Sequence, residues 1–442
     1  MMQQFVLSEY GRLSTVPSPV NRMMAAFASD FRDGVDVNLG VGYINESTIP
    51  GSLMTDAMGR ILQTPQTYRL PFNYGGPEGT AGLREAIFSY LVHGRRDVDA
   101  KVLERHRIGI GASGATSLLD AIAHVLPRGI VITTDPMYYI YCETLGRLGF
   151  EVVAIPEDDD GMRMDLLAQQ LEAMGTRRSE IQFFYVVSVN NPTCTVLSAT
   201  RRVQLLDTVK RLSKELNRAV PLVLDRAYED LIHQPGQPRP GSLLSHSHDG
   251  LVYELGTLSK VLAPSLRIGY IVGADGPFMD ALVQRTSDVG FSAPVLTQSL
   301  ASYMLSHHID EQLARVNGEY QKKAALTREM IVHHLGNYIE HVTGGSAGFY
   351  FYLTFRHITT GPASRFFRYC TRTTDDAEVN GQPRHRRVVY IPGEYCVHPQ
   401  GALVEAGKRQ LRLSYGFESM ARIEAGLQTM SEAAEYALRE TR

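Results

Sequence analysis

Between about residues 80 and 275 helix-like and strand-like segments alternate, and this alternation restricts the fold more than any other feature of the chain. The run TAGLREAIFSYLVHG at 80–94 carries apolar residues at helical spacing behind Thr80. Thr80 is a natural N-cap, because its hydroxyl can accept from an unpaired N–H of the first turn. A second helix is predicted over 114–126, the strand IVITT over 130–134, a helix near 138–148 and the strand EVVAI over 151–155, closed by the acidic turn EDDDG at 157–161. IQFFYVVSV at 181–189, PLVLD at 221–225, LVYELGT at 251–257 and RIGYIVG at 267–273 read as short buried strands, with a helix near 199–216 between the first two. Apolar strands separated by helices predict an α/β fold whose sheet is mostly parallel and covered on both faces.

From about 294 the pattern changes to long helical stretches, then to two apolar strands, GFYFYLTF at 348–355 and QLRLSYGF at 410–417, and a closing helix near 418–439. That shift predicts a large α/β domain over 51–315 and a smaller, discontinuous α+β domain made of 1–50 and 316–442. The polar, turn-rich segment 372–387 reads as a surface insertion. With 44 basic and 47 acidic residues the net charge is -3, so nothing draws the whole chain to nucleic acid or an anionic membrane. Cys142, Cys194, Cys370 and Cys396 form no C-x-x-C pair, which argues against a zinc ribbon or a disulfide framework and fits a reducing cytoplasm. The N-terminus lacks a basic segment followed by an apolar run, and no stretch approaches a membrane span, so neither export nor anchoring is expected.

Three chemical pieces fall at predicted strand ends, where open α/β sheets bind their ligands. Ser259 and Lys260 follow the strand at 251–257, with Thr257 three residues before the lysine and Arg267 seven after it. Taken alone, Ser-Lys at such a place is an ordinary exposed helix start. Asp225 ends PLVLD, and GASGATSLLDAI at 111–122 opens a helix after a strand, with Gly114, Ala115 and Thr116 as an anion cradle. Together they answer the demands of pyridoxal 5′-phosphate (PLP): an amine to bond its aldehyde, a carboxylate to keep its ring nitrogen protonated, and donors for its phosphate.

The order of motifs resembles that of the fold-type I, class I/II aminotransferases over most of the chain. VNLGVG at 37–42 is similar to the family's N-terminal glycine segment and NYGGPEGTAGLREAI at 73–87 to its entry into the first large-domain helix. DPMYYIY at 135–141 resembles the segment that lays an aromatic ring on the cofactor, VNNPTC at 189–194 the Asn-Pro-Thr turn, and DRAYEDL at 225–231 the Asp-x-x-Tyr element; TLSK at 257–260 and RLSYGF at 412–417 follow in order. The resemblance implies a PLP-dependent transferase of three-layer architecture that moves an amino group from an L-amino acid to a 2-oxo acid. It implies Lys260 as both cofactor anchor and proton shuttle, Asp225 at the pyridine nitrogen, Tyr228 and Asn191 at the phenolic oxygen, and Tyr138 stacked on the ring. Thr257, Ser259 and Arg267 would join residues 114–116 at the phosphate, and Arg412 would fork onto the substrate α-carboxylate, a task suited to guanidinium. Gly42, Tyr43 and Asn191 would border the substrate. Tyr74 matches a tyrosine that reaches the neighbouring subunit's phosphate, which implies a homodimer with shared active sites.

Cys194 stands where the turn usually has glycine, so either the backbone there avoids positive φ or the pocket differs. Tyr139 beside Tyr138 leaves the stacking assignment open by one residue. His307-His308 and His333-His334 are adjacent pairs that cannot face one metal, so no metal is assigned, and RHRR at 384–387 reads as a solvated patch rather than a nucleic-acid site. Fold and cofactor do not fix the reaction, so a PLP-dependent lyase or decarboxylase remains the alternative. Non-catalytic PLP-binding regulators of this family carry a DNA-binding domain ahead of the shared part; the motifs here begin near residue 37, which leaves no room for one.

Overall fold

A computed structural model describes residues 5–64, 69–95, 97–380 and 386–439. Its strands are, in chain order, β1 (Val37–Asn38), β2 (His106–Ile110), β3 (Ile130–Asp135), β4 (Glu151–Asp158), β5 (Gly161–Met162), β6 (Ile181–Val187), β7 (Leu222–Asp225), β8 (Val252–Thr257), β9 (Gly269–Ala274), β10 (Ile339–Gly344), β11 (Tyr350–Phe355), β12 (Val388–Val389), β13 (Ile391–Pro392) and β14 (Gln410–Ser414). Eight of them form the main sheet in the order β2-β9-β8-β7-β6-β3-β4-β5. The neighbours β4, β3, β6, β7 and β8 run parallel, as strands joined through helices must.

The strand predicted at 267–273 does not share that direction, for β9 is antiparallel to both β8 and β2. The link from Thr257 to Gly269 holds one short 3₁₀ turn, Pro264–Leu266, and no crossover helix to carry the chain back to the start of the sheet. The acidic segment 157–161 is likewise less of a turn than its composition implies: Glu157 and Asp158 extend β4 and pair with Met162 and Gly161. Both faces of β6 are covered, with Phe184 and Val186 in one buried cluster and Phe183, Tyr185 and Val187 in another.

A second sheet, β10-β11-β14-β13, is antiparallel throughout. The strand β10 was not signalled in sequence, because IEHVTG has one fully buried side chain and alternates too weakly. The N-terminal segment is bound to the C-terminal part: β1 pairs with β12, and the buried Asp36 carboxylate takes Arg32 at 2.6 Å and Arg387 at 2.8 Å. Arg387 and Arg386 are therefore not a solvated patch, since Arg386 donates to the Ala425 carbonyl and Arg387 is also ion-paired to Asp30; residues 384 and 385 of that motif lie outside the described residues. No described helix is long and apolar enough to cross a membrane.

Candidate active site

The carboxyl ends of the parallel strands converge on one cavity of about 140 Å³, and the chain order of the strands reverses beside it, between β3 and β6. Tyr138 follows β3, Asn191 follows β6, Asp225 ends β7 and Lys260 follows β8; all four line the cavity with Ala115, Thr116, Tyr228, Thr257, Ser259 and Arg267. Residues separated by up to 152 positions (267 less 115) thus meet because each sits at a strand end.

At one wall the Lys260 ammonium lies 5.4 Å from the Tyr228 ring centre and 5.7 Å from that of Phe349. Burial, then the neighbouring charges of Arg267 and Arg412, bring its pKa down to about 8 against the opposing pull of Asp225, so a useful fraction is free amine near neutral pH. At the floor, Asp225 accepts from the Tyr185 hydroxyl at 2.9 Å and from the Ala227 N–H at 3.0 Å. Burial pushes its carboxyl up from the ordinary value despite those bonds and Lys260, and no described cation forms an ion pair with it. A ring N–H⁺ placed against such a carboxylate supplies the missing partner.

The loop that presents Asp225 and Tyr228 is held from behind. Arg226 is ion-paired to Asp97, Glu229 and Glu254, while Arg95 reaches Asp97, Glu229 and Asp230 at 2.9–3.0 Å. On the cavity side Tyr228 and Tyr350 share a hydroxyl–hydroxyl bond of 3.1 Å.

The helix Gly114–Val125 starts at the opposite wall with Ser113 as a cap that makes no side-chain bond to its first turn. Arg267, in left-handed conformation, lies across that start: its Nη2 donates to the Ser113 carbonyl at 3.1 Å and its own carbonyl accepts from the Gly114 N–H at 2.7 Å. Gly114 has φ +69, and a Cβ there would stand 2.9 Å from Arg267 Nη2, so the glycine permits the approach. The open N–H groups and the guanidinium form a cradle suited to a phosphate dianion, beside the Thr257 hydroxyl, whose hydrogen turns to the Ile268 carbonyl at 2.9 Å and can swing to an anion instead.

Arg412 is 3% exposed. Its Nη1 donates to Asn191 Oδ1 at 2.8 Å and its Nη2 to the Gly40 carbonyl at 2.6 Å, its guanidinium lies 4.2 Å from the Tyr350 ring centre, and its Nε has no partner. Among the described residues no carboxylate forms an ion pair with it.

Of the residues expected at the site, Ala115, Thr116, Tyr138, Asn191, Asp225, Tyr228, Thr257, Ser259, Lys260 and Arg267 come together in one cavity, and Arg412 joins it through Asn191. Gly40 rather than Gly42 touches Arg412; Gly42 faces the Tyr350 hydroxyl. Tyr138 is on the cavity wall, whereas Tyr139 packs in a separate cluster with Val20, Tyr352 and Cys396. Cys194 takes the positive φ expected of a glycine, +56, so of the two outcomes left open the backbone does not avoid that conformation. Tyr43 is 61% exposed against Phe417, and Tyr74 is 87% exposed beside Phe291, away from the cavity of its own chain. Tyr185 was missed because a strand buried on both faces gives no alternation to read, and Tyr350 because its place beside Arg412 comes from the pairing of two strands far apart in sequence.

An amine of lowered pKa, a buried unpaired carboxylate and an anion cradle around one cavity fit PLP, and on this sheet they define a PLP-dependent transferase of fold type I. The model of the family "Aminotransferase class I and II" matches residues 46–400, and the chain belongs to that family, whose aminotransferases use PLP. It is similar to a multiple substrate aminotransferase from Thermococcus profundus, with a TM-score of 0.81 and 22% identity over 97% of each chain. It is 28% identical over 64% of its length to the 2-aminoadipate transaminase of Thermus thermophilus, covering 67% of that protein. It is 26% identical over 90% of its length to an uncharacterised HTH-type transcriptional regulator, YisV of Bacillus subtilis, of which it spans 73%; of a second such regulator from that organism, YdfD, it spans 58%.

Proposed function

We propose that the chain transfers the amino group of an L-amino acid to a 2-oxo acid in a ping-pong cycle, acting as a homodimer. The observation that carries this reading is Arg412, a buried guanidinium with no carboxylate partner among the described residues, electrostatically coupled to Lys260. A buried charge without a counter-charge is costly, and an incoming α-carboxylate offsets that cost with two parallel hydrogen bonds. When bound, PLP supplies an aldehyde that takes the amino group and a protonated ring that draws electrons from Cα.

The residues around it divide the work. Lys260 would anchor the cofactor, and the lowered pKa of its Nζ suits it to take and return the proton of the substrate Cα. Asp225 would keep the ring nitrogen protonated, with Tyr185 steering the carboxylate. Tyr228 and Asn191 would donate to the phenolic oxygen, and Tyr138 would cover the ring face. Ala115, Thr116, Thr257, Ser259 and Arg267 hold phosphate, joined by Tyr74 of a second copy. By fixing the substrate carboxylate, Arg412 would leave the Cα proton, and not the carboxyl group, to face Lys260, which favours deprotonation over decarboxylation.

Two measurements test this. Purified protein with PLP gives the pH-sensitive absorption band of lysine-bound cofactor, and Lys260→Ala loses it; an unchanged band in the variant defeats the anchor. A panel of amino donors with 2-oxoglutarate yields oxo-acid exchange. Steady release of ammonia or carbon dioxide without exchange would replace the reading by a lyase or decarboxylase. The likeness to a transcriptional regulator motivates a second reading, PLP binding without turnover, which absence of turnover across that panel would favour.

A further inference from the structure

Behind the turn that carries Asn191 lies a carboxyl group that the chemistry above leaves unused. Glu157, near the end of β4, accepts from Asn190 Nδ2 at 3.0 Å and from the Thr193 hydroxyl. No described residue forms an ion pair with it. Asn190 Nδ2 donates also to the Pro136 carbonyl at 2.9 Å, two residues before Tyr138. The turn closes on itself through Asn190 N–H to the Thr195 carbonyl at 2.9 Å and Cys194 N–H to the Asn190 carbonyl at 2.7 Å. One carboxyl group therefore links β4, the Asn191 turn and the segment that leads to Tyr138.

We propose that Glu157 is a positioning residue for substrate capture: through Asn190 and Thr193 it fixes Asn191, and Asn191 in turn holds Arg412 in its clamping pose. This rests on the reading of Arg412 as the α-carboxylate clamp. Among the described residues Asn191 Oδ1 is the one hydrogen-bond partner of Arg412 Nη1, so a shift of the turn removes one of the two bonds that orient the guanidinium. Burial, set against the bonds from Thr193, Thr195 and Asn190 and aided by Asp135, raises the Glu157 carboxyl to about 8. Asp135 at the end of β3, whose Oδ2 is buried without a partner, Tyr352 on β11 and Cys194 in the turn are the other titratable groups that sense it or one another here. The acid is thus mostly neutral at pH 7. Its ionisation above pH 8 adds a negative charge behind Asn191 and weakens the field that Arg412 offers a carboxylate.

The test uses the PLP-loaded full chain turning over a saturating L-amino acid donor, with KM and kcat for the 2-oxo acid acceptor, which itself has no amine to titrate, measured between pH 6 and 9. Glu157→Ala raises KM on the order of tenfold or more with a smaller change in kcat, as misplacement of a positioning contact does; Thr193→Val, which removes one of the same bonds, moves KM in the same direction. Glu157→Gln, a neutral mimic, keeps the parent KM at pH 7 and lacks the parent's rise in KM above pH 8. The pH titration of the cofactor absorption band, which reads Lys260, stays at the parent value in all three. A Glu157→Ala protein that melts cooperatively with the parent KM, or a Glu157→Gln protein whose KM follows the parent over the whole range, overturns the inference. If Arg412→Lys raises KM while Glu157→Ala does not, the Glu157 inference alone fails; if Arg412→Lys also leaves KM unchanged, the clamp fails and the inference with it.

Discussion

At the scale of single residues, the turn after β6 shows how one backbone position is shared between two chain segments. Cys194 occupies φ +56, a conformation that costs a non-glycine residue about 1–2 kcal/mol. Its thiol is buried against Gly348, itself at φ +60, where a Cβ would stand 2.5 Å from the sulfur. Gly348→Ala should therefore lower the melting temperature by an amount equivalent to roughly 2 kcal/mol, the usual scale of overpacking. Combining it with Cys194→Gly should recover part of the loss, because the glycine removes the sulfur; thermal melts of the single and double variants decide. No recovery would place the whole cost in the backbone at 348. The thiol itself is no nucleophile: burial pushes it up to about 12.

At the scale of elements, the phosphate cradle depends on how closely the helix Gly114–Val125 approaches β9. A Cβ on Gly269 would lie 2.1 Å from the Ala115 amide nitrogen and 2.3 Å from the Gly114 carbonyl carbon, both backbone atoms that cannot swing aside. Gly269→Ala must push the helix start outward, away from Arg267 and Thr257. The expected outcome is a PLP dissociation constant raised about tenfold or more, since two or three charge-assisted bonds lengthen together. Fluorescence titration of the apoprotein with PLP measures it, and wild-type affinity in the variant would show that the helix start is not fixed by this contact. The reversed direction of β9 belongs to the same scale: it lets Arg267, at the entry to the strand, fold back over the helix.

At the scale of the whole molecule, Asp36 ties the N-terminal segment to the far end of the chain. Its carboxylate meets Arg32 and Arg387, and its carbonyl accepts from Arg422. Burial would raise its pKa, but the hydrogen bonds from Arg32 and Arg387 outweigh this and hold it well below the carboxylate range. A depressed pKa means that its stabilisation is complete above the unfolded value of about 3.9 and is lost as pH falls through the folded value. Asp36→Asn should cost about 2 kcal/mol at pH 7, less than a fully buried pair because the arginines reach solvent. The gap between parent and variant should narrow below about pH 4. Chemical denaturation at several pH values checks both points, and a gap that is constant with pH would remove the charge from the explanation.

What the sequence by itself determined is what neighbouring residues encode. Strand-and-helix alternation implied the α/β sheet, and short motifs at predicted strand ends named Lys260, Asp225, Asn191, Tyr228 and Arg267, because the carboxyl edge of a parallel sheet collects whatever follows each strand. The tertiary structure alone decided which of two adjacent tyrosines faces the cavity, that β9 runs against its neighbours, that β10 exists, and that Tyr185, Tyr350 and Gly40 touch the reacting groups. These contacts join segments 40 to 372 residues apart, and no local periodicity carries them. The same holds for Glu157, which reads in sequence as one acid in an acidic turn and meets Asn190 and Thr193, half-buried, only once β4 lies beside β3.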